Sequence, residues 1–247
     1  MTAAAPPLLE VDLGPGVRAA FTVAGFNLST LVGDDARETV LARRQALGEW
    51  IGAPVVLARQ VHGRGVHLCS SSDVDSPADG LPVLEADALV ATSSEVAVAV
   101  LVADCVPVLL ADPSSGLVAA VHAGRQGLVA GVVDAAVGAL VERGVDVGGL
   151  RAVVGPAVCG ACYEVPAALR DEVDAAVPGT GAVTSWGTPS LDLPAGVRSR
   201  LTALGVSHVS RVDACTMTDE RWFSHRASQA RQDRPAGRFA AVVRAAP

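Results

Sequence analysis

Between residues 86 and 124 the chain carries four strand-length runs, "ADALVATS", "VAVAVLVADC", "VPVLLADP" and "GLVAAVHAG". Three of them are nearly continuous in apolar residues. A strand with one face in water alternates apolar and polar positions, so unbroken runs belong to strands covered on both faces. Something must do the covering, and helical patterns lie on either side. "GDDARETVLARRQALGEWIG" reads as a helix with Asp34 or Asp35 as N-cap, Glu38 in the first turn and Gly52 as its stop. "QGLVAGVVDAAVGALVERG" has the length of one helix ending at Gly144, too densely apolar for an amphipathic stripe and so packed beneath other elements. "PAALRDEVDAAV" opens on Pro166 as its first helical residue, and "LDLPAGVRSRLTALGV" runs from strand to helix with Pro194 near the helix start.

Shorter strand-like pieces occur in "VRAAFTVAGF", in "PVVLARQVHGRGVHLC" around a turn at Gly63 to Gly65, and in "RAVVGPAVCGACYEV". "SSSDVDSPADGLPVLEA" is a polar, proline-bearing loop, and residues 208–244 form two strand-like ends around a long Arg-rich loop. No composition break or internal repeat marks a linker. The expectation is one layered α/β domain over residues 1–247 with a central mixed sheet.

A chain of 247 residues, half of them apolar, buries a sizeable core. Its net charge of -7 argues against a duplex-DNA partner and against a polybasic membrane face. All 19 basic residues are arginine. The lack of lysine excludes a Schiff-base lysine, pyridoxal-phosphate chemistry and a Walker-type phosphate loop. The start shows no basic segment followed by an apolar one, so no signal peptide is expected. The longest clean apolar run, "VAVAVLVA", is far short of a membrane span. Five cysteines, an odd count, favour free thiols, metal ligands or catalysis over a disulfide framework, and a cytoplasmic protein is expected.

Three soft or borderline ligands end or nearly end strand-like runs: His62 in "RQVHGRG", Cys105 in "VADC" and His122 in "VHAG". Two imidazoles and a thiolate suit zinc and leave one position open, as in catalytic zinc sites. Such a position polarises a water or a substrate oxygen. The spacing is not diagnostic, and a cysteine in an apolar strand is more often a small core hydrophobe. Asp104 is a candidate general base or orienting group, and equally a turn cap. In "HAGRQG", Gly124 and Gly127 flank a strand-to-helix junction whose backbone N–H groups could receive an anion, with Arg125 adding charge. An ordinary turn is the plainer alternative. "CGAC" at 159–162 lacks the second pair that a zinc ribbon needs, so Cys159 and Cys162 read as structural or incidental thiols. The Arg-rich segment "FSHRASQARQDRPAGR" could bind a phosphate or carboxylate bidentately, with a solvated loop as the default reading.

Taken together, "FNL…VGDD", "RQVHG", "ADALV", "LVADCVPVLLADP", "VAAVHAG", "GPAVCGACYEV", "LDL" and "FSHR" resemble the YfiH/YlmD-like family, or laccase domain. Its members are described as polyphenol oxidases or purine nucleoside phosphorylases. The resemblance spans about residues 21 to 243. It implies a layered α/β fold grouped with cysteine hydrolases, and a metal site of zinc, or alternatively copper, on His62, Cys105 and His122. It also implies phosphorolysis of purine nucleosides (adenosine, inosine, methylthioadenosine), with an adenosine deaminase side activity. The partners would be a small nucleoside and phosphate. Asn27, Arg44, Arg125, Gln126 and Arg226 would contact them. Where members read "HAGWRG", this chain reads "HAGRQG", so Arg125 replaces a tryptophan and Gln126 an arginine. The Arg-containing, Gly-Gly-Ser-like segment before "NL" is also shortened, and the asparagine of an Asn-Arg pair is replaced in Arg43-Arg44.

A laccase in the strict sense needs a blue-copper centre plus a histidine-rich cluster, and five histidines do not supply both. Two other readings use the same residues. One is a cysteine hydrolase or amidase with Cys105 as nucleophile and His122 as base. The other is a non-catalytic member of the family that holds a structural metal.

Overall fold

The structure is a computed structural model that describes residues 5–74, 82 and 84–246. In chain order the first elements are β1 (Leu8–Glu10), β2 (Val17–Thr22), α1 (Arg37–Ile51), β3 (Val55–Val56), β4 (Val66–Cys69), β5 (Ala88–Ala91) and β6 (Ala97–Val102). Next come β7 (Val106–Asp112), β8 (Leu117–Ala123), α2 (Arg125–Ala130), α3 (Val132–Val141), β9 (Arg151–Val154) and α4 (Ala167–Ala176). The chain ends with β10 (Gly181–Val183), β11 (Pro189–Leu191), α5 (Leu193–Ala203), β12 (His208–Arg211), α6 (His225–Ala230) and β13 (Phe239–Ala245).

The fold is mixed α/β, and the expected central sheet is doubled. A five-stranded sheet runs β1-β2-β13-β6-β3, a six-stranded sheet runs β12-β9-β7-β8-β5-β4, and β10 and β11 form a small hairpin. Both large sheets are mixed: β3 on β6, β12 on β9 and β4 on β5 are parallel, the other pairs antiparallel.

Side chains on a strand point alternately to its two faces. In β6 and β13, Val98, Val100, Val102, Phe239, Ala241 and Val243 face Leu89, Leu109, Val118 and Ala120 of the other sheet in one shared core. The alternate residues Ala97, Ala99, Ala240 and Val242 pack under Leu47 and Ile51 of α1. On the far side, Val90, Val108, Leu110 and Val121 pack against α3 and α5 through Val133, Val137, Val197 and Leu201. Each large sheet is therefore covered on both faces, which is why the runs are apolar without alternation.

Several boundaries differ from the sequence reading. The N-cap of α1 is Ala36, without a side-chain bond, because Asp35 is engaged by Arg43 and Asn27 instead of the helix amides. Gly52 does close α1, in the left-handed conformation at φ 81°. The single helix expected over 126–144 is two, because Gly131 at φ 90° ends α2 and opens α3. Pro166 occupies the cap position of α4, one residue before its first turn. Asp192 caps α5 through the Ala195 amide, with Pro194 in its first turn. The Arg-rich loop contains α6, capped by Ser224 on the Ala227 amide. The loop predicted over 70–86 lies partly outside the described residues; Ser71–Asp73 form a short 3-10 turn. Among the described residues no helix is long and apolar enough to cross a membrane.

Candidate metal centre

Cys105 stands one residue before β7, and His122 is the penultimate residue of β8. Because these strands are antiparallel with Val106 opposite Ala123 and Pro107 opposite His122, both side chains emerge at one end of the six-stranded sheet. His62 arrives from the turn before β4. The three ligand atoms lie within 4.8 Å of one another. His62 Nε2 is 3.8 Å from Cys105 Sγ, and the two imidazoles meet edge to face with centroids 4.7 Å apart. His122 is buried, Cys105 half-buried and His62 exposed, so the triad opens to solvent on the His62 side.

The turn is held by Asp87, which has no exposed surface. Its carboxylate accepts from the Gly63 amide at 2.7 Å, the His62 amide at 3.0 Å, the Val61 amide at 3.3 Å and His122 Nδ1 at 2.8 Å. These bonds hold His62 at φ 60°, a left-handed conformation that costs a non-glycine residue about 1 kcal/mol or more. They also place the His122 proton on Nδ1 and leave Nε2 as the donor atom, the carboxylate-held arrangement common for metal-bound histidine. Burial pushes the Asp87 carboxyl up, but the His122 bond and the amides outweigh it and leave it below the ordinary range.

Burial also opposes a Cys105 thiolate, yet hydrogen bonds from His122 and His62 bring the thiol down to about 6. The same thiolate and Asp87 raise His122 to about 9 against its burial. The pocket thus favours a thiolate beside a positive charge. A soft divalent or monovalent cation meets that demand as a proton does, so the donor set fits a metal ion.

Asp104 is the second strained residue, at φ 83°. Its Oδ1 accepts from Thr216 and Ser224 hydroxyls, each at 2.6 Å, and its Oδ2 from the Arg226 amide at 2.8 Å. Its carbonyl accepts from the Val158 amide at 3.0 Å. With both carboxylate oxygens engaged, Asp104 works as a hub that aims Cys105 and anchors α6. The glycines of "HAGRQG" are explained by packing. A Cβ on Gly124 would sit 2.7 Å from His62 Cδ2 and 3.2 Å from Cys105 Sγ, and one on Gly127 would sit 2.7 Å from the Gly63 carbonyl oxygen.

The triad forms part of the wall of a cleft of about 720 Å³, which Arg44, Arg125, Arg226 and Arg238 also line. The Arg226 guanidinium stacks on Tyr163 at 4.5 Å. Burial lowers the Arg238 guanidinium, partly offset by the negative charges of Cys105 and Asp104 that it faces. Two expected contacts are not among the cleft-lining residues. Asn27 is buried and spends its amide on Ser29, Val32, Asp35 and the Arg238 backbone, so it shapes the loop and seats Arg238. Gln126 is exposed on α2, one helical step from Arg125 and pointing elsewhere.

Sequence reasoning missed Asp87 and Tyr163, whereas Arg238 ends the Arg-rich segment offered for anion binding. For Asp87 a signal existed: a carboxylate heading a continuously apolar strand is buried and must find donors. Tyr163 carries no comparable local signal.

The pattern of the family described as "Multi-copper polyphenol oxidoreductase laccase" matches residues 15–246. A Streptomyces coelicolor protein named purine nucleoside phosphorylase SCO2081 is 48% identical over 221 residues, covering 88% of this chain and 87% of its own. A Mycobacterium bovis protein also named a purine nucleoside phosphorylase is 45% identical over 221 residues, covering 88% and 84%. The crystal structure of YlmD from Geobacillus stearothermophilus superimposes with a TM-score of 0.83 at 29% identity, over 94% of this chain and 93% of that one.

Proposed function

The chain belongs to the family described as multi-copper polyphenol oxidoreductase laccase, and on that footing we propose that it is a zinc-dependent purine nucleoside phosphorylase working as one domain over residues 1–247. One observation carries the reading: the His62–Cys105–His122 triad and five arginines (Arg59, which is paired with Glu85, beside Arg44, Arg125, Arg226 and Arg238) line a single cleft of about 720 Å³, room for a nucleoside and a phosphate together. The names of the relatives support the same activity.

In the proposed reaction a phosphate oxygen bonds to C1′ of the ribose while the bond from C1′ to the purine N9 breaks. The purine leaves with the electron pair. Arg44, Arg125, Arg226 and Arg238 hold the anion, the task for which planar guanidinium groups suit phosphate. Tyr163 steadies Arg226 by stacking on its guanidinium. Leu31, Val32, Val158 and Leu193 offer the purine ring an apolar wall. Asp87 and Asp104 position the triad through their hydrogen bonds, Asp104 from the cleft wall itself. His62, Cys105 and His122 would hold zinc, which supplies positive charge to an oxygen of phosphate or ribose. Zinc is preferred over a multi-copper centre because, of five histidines, only His62, His122 and His225 line the cleft.

The test supplies zinc-replete protein with inosine, adenosine or methylthioadenosine, with and without phosphate. Phosphate-dependent release of the base and ribose 1-phosphate is expected, reduced at least tenfold in Arg238→Gln. No base release from any of the three sinks the reading. Ammonia release from adenosine in the same reactions measures the deamination that the resemblance implies, for which the relatives' names lend no support.

A second reading draws on the Cys105–His122–Asp87 chain, with Asp87 Oδ1 at 2.8 Å from His122 Nδ1. There a Cys105 thiolate would attack an amide carbonyl and His122 would return the proton to the leaving amine. Activity that survives chelation and is abolished by alkylating Cys105 would favour it.

A further inference from the structure

Among the described residues a second cluster of soft ligands lies outside the triad. The sulfurs of Cys159, Cys162 and Cys215 lie within 4.8 Å of one another. The sequence offers no second Cys-x-x-Cys to complete a ribbon; the third sulfur comes from the segment after β12. Backbone pairing, not the sulfurs, sets that meeting. Ala157 bridges Cys215 in parallel, and the Thr216 amide donates to the Ala157 carbonyl at 3.1 Å.

The cluster is surrounded by amide donors. The Cys159 amide donates to Cys215 Sγ at 3.5 Å. The Met217 amide also points at the Cys215 sulfur, and the Ala161 amide at that of Cys159. Against burial, these amides hold the Cys215 thiol below its ordinary value, while burial and the neighbouring sulfurs push Cys159 up and Cys162 up to about 12, so gathering three thiolates here calls for the positive charge of a metal ion. The Cys-x-x-Cys turn is also rigid. The Cys162 and Tyr163 amides both donate to the Cys159 carbonyl at 3.0 Å, and the Ser190 hydroxyl donates to the Gly160 carbonyl at 2.6 Å. Gly160 has no room for a side chain, since a Cβ would sit 2.8 Å from Asp192 Cβ. Cys162 is buried, while Cys159 and Cys215 are half-buried, so the cluster is sheltered yet reachable.

We propose that Cys159, Cys162 and Cys215 form a second, all-thiolate site for a soft closed-shell metal ion, zinc or cuprous copper. Three thiolates complete a trigonal cuprous site or three of the four positions of tetrahedral zinc. Metal–sulfur bonds of about 2.3 Å bring the sulfurs to roughly 4 Å apart, a closure of under about 1 Å from the upper limit seen. The ion would clamp two segments that flank the Asp104 hub. Val158 donates to the Asp104 carbonyl and Thr216 to its carboxylate, and each is the chain neighbour of a cluster cysteine. This site depends on neither the zinc at the triad nor the phosphorylase reading.

The decisive variant removes the triad and leaves the cluster: His62→Ala/Cys105→Ser, purified anaerobically with reductant and equilibrated with zinc. Elemental mass spectrometry should find one equivalent of tightly held zinc in it, against two in the wild type. Adding Cys215→Ser should bring it to none, with circular dichroism as the check on folding. If that addition unfolds the chain, alkylation of the zinc-loaded double variant decides, since all three cysteines should be protected and become reactive when zinc is chelated. The proposal is overturned if the double variant holds no zinc, if it keeps its equivalent after Cys215→Ser, or if a disulfide joins two of the cysteines under these conditions.

Discussion

Asp87→Asn removes one charge and one acceptor from the carboxylate that holds the turn of His62 and the ring of His122. An asparagine oxygen can serve either the Gly63 side or the His62 and His122 side, while its NH₂ faces donors on the other. The loss is at least one charge-assisted hydrogen bond, about 1.5–3 kcal/mol, plus the cost of a buried donor left unsatisfied, about 1–3 kcal/mol. Relaxation of the exposed His62 turn recovers part, so a net destabilisation of about 2–4 kcal/mol is expected in the metal-free protein. Metal affinity should fall about 10–100-fold, the usual effect of losing the carboxylate that orients a metal-bound histidine, equal to about 1.4–2.8 kcal/mol. Urea denaturation of metal-free wild type and variant measures the first quantity, and zinc competition against a chromophoric chelator the second. A variant within about 0.5 kcal/mol of wild type that binds zinc equally well would refute the claim that Asp87 organises the triad.

Gly124→Ala keeps a permitted backbone, at φ -75°, but drives a methyl group into His62 and Cys105. Stability should change by less than about 2 kcal/mol, because exposed His62 can swing away, while zinc affinity drops at least tenfold in the same competition assay. In metal-free protein the Cys105 thiol lies at about 6, burial opposing the thiolate but hydrogen bonds from His122 and His62 prevailing. A depressed pKa means the reactive thiolate is present above it, so the iodoacetamide rate at Cys105 should rise through pH 6 and level off by neutrality. A midpoint near the ordinary value for cysteine would contradict that pairing. Gly155→Ala tests the packing between β2 and β7. A Cβ there would lie 2.3 Å from Phe21 Cε1 and 2.8 Å from Pro107 Cγ, so a loss of about 3 kcal/mol is expected in urea titrations.

The strands were legible in the chain because burial on both faces leaves a local mark, a run without alternation, and β5 to β8 carry it. Glycine stops were half legible. Gly52 closes α1 as read, whereas Gly131 breaks a helix that its neighbours would have continued, since glycine is only mildly unfavourable within helices and packing chooses its conformation. Asp35 looked like a cap because its residue type suits one, but Arg43 and Asn27 compete for it across the fold. Asn27 and Gln126 carried the right chemistry for substrate contacts, and neither lines the cleft, because side-chain direction depends on loop geometry and helix phase.

By itself the sequence determined which donors were available: two imidazoles and a thiolate at strand ends, arginine as the sole basic residue, and a carboxylate at the head of an apolar strand. These are properties of residue type and of a two-residue period, both local. The tertiary structure alone decided which donors meet. The β7–β8 register brings Cys105 to His122, Asp87 folds the His62 turn onto them, and the Ala157–Cys215 bridge carries a distant thiol to the Cys-x-x-Cys turn. Such meetings join residues far apart in the chain, and they follow from sheet order and register, which no stretch of sequence encodes alone.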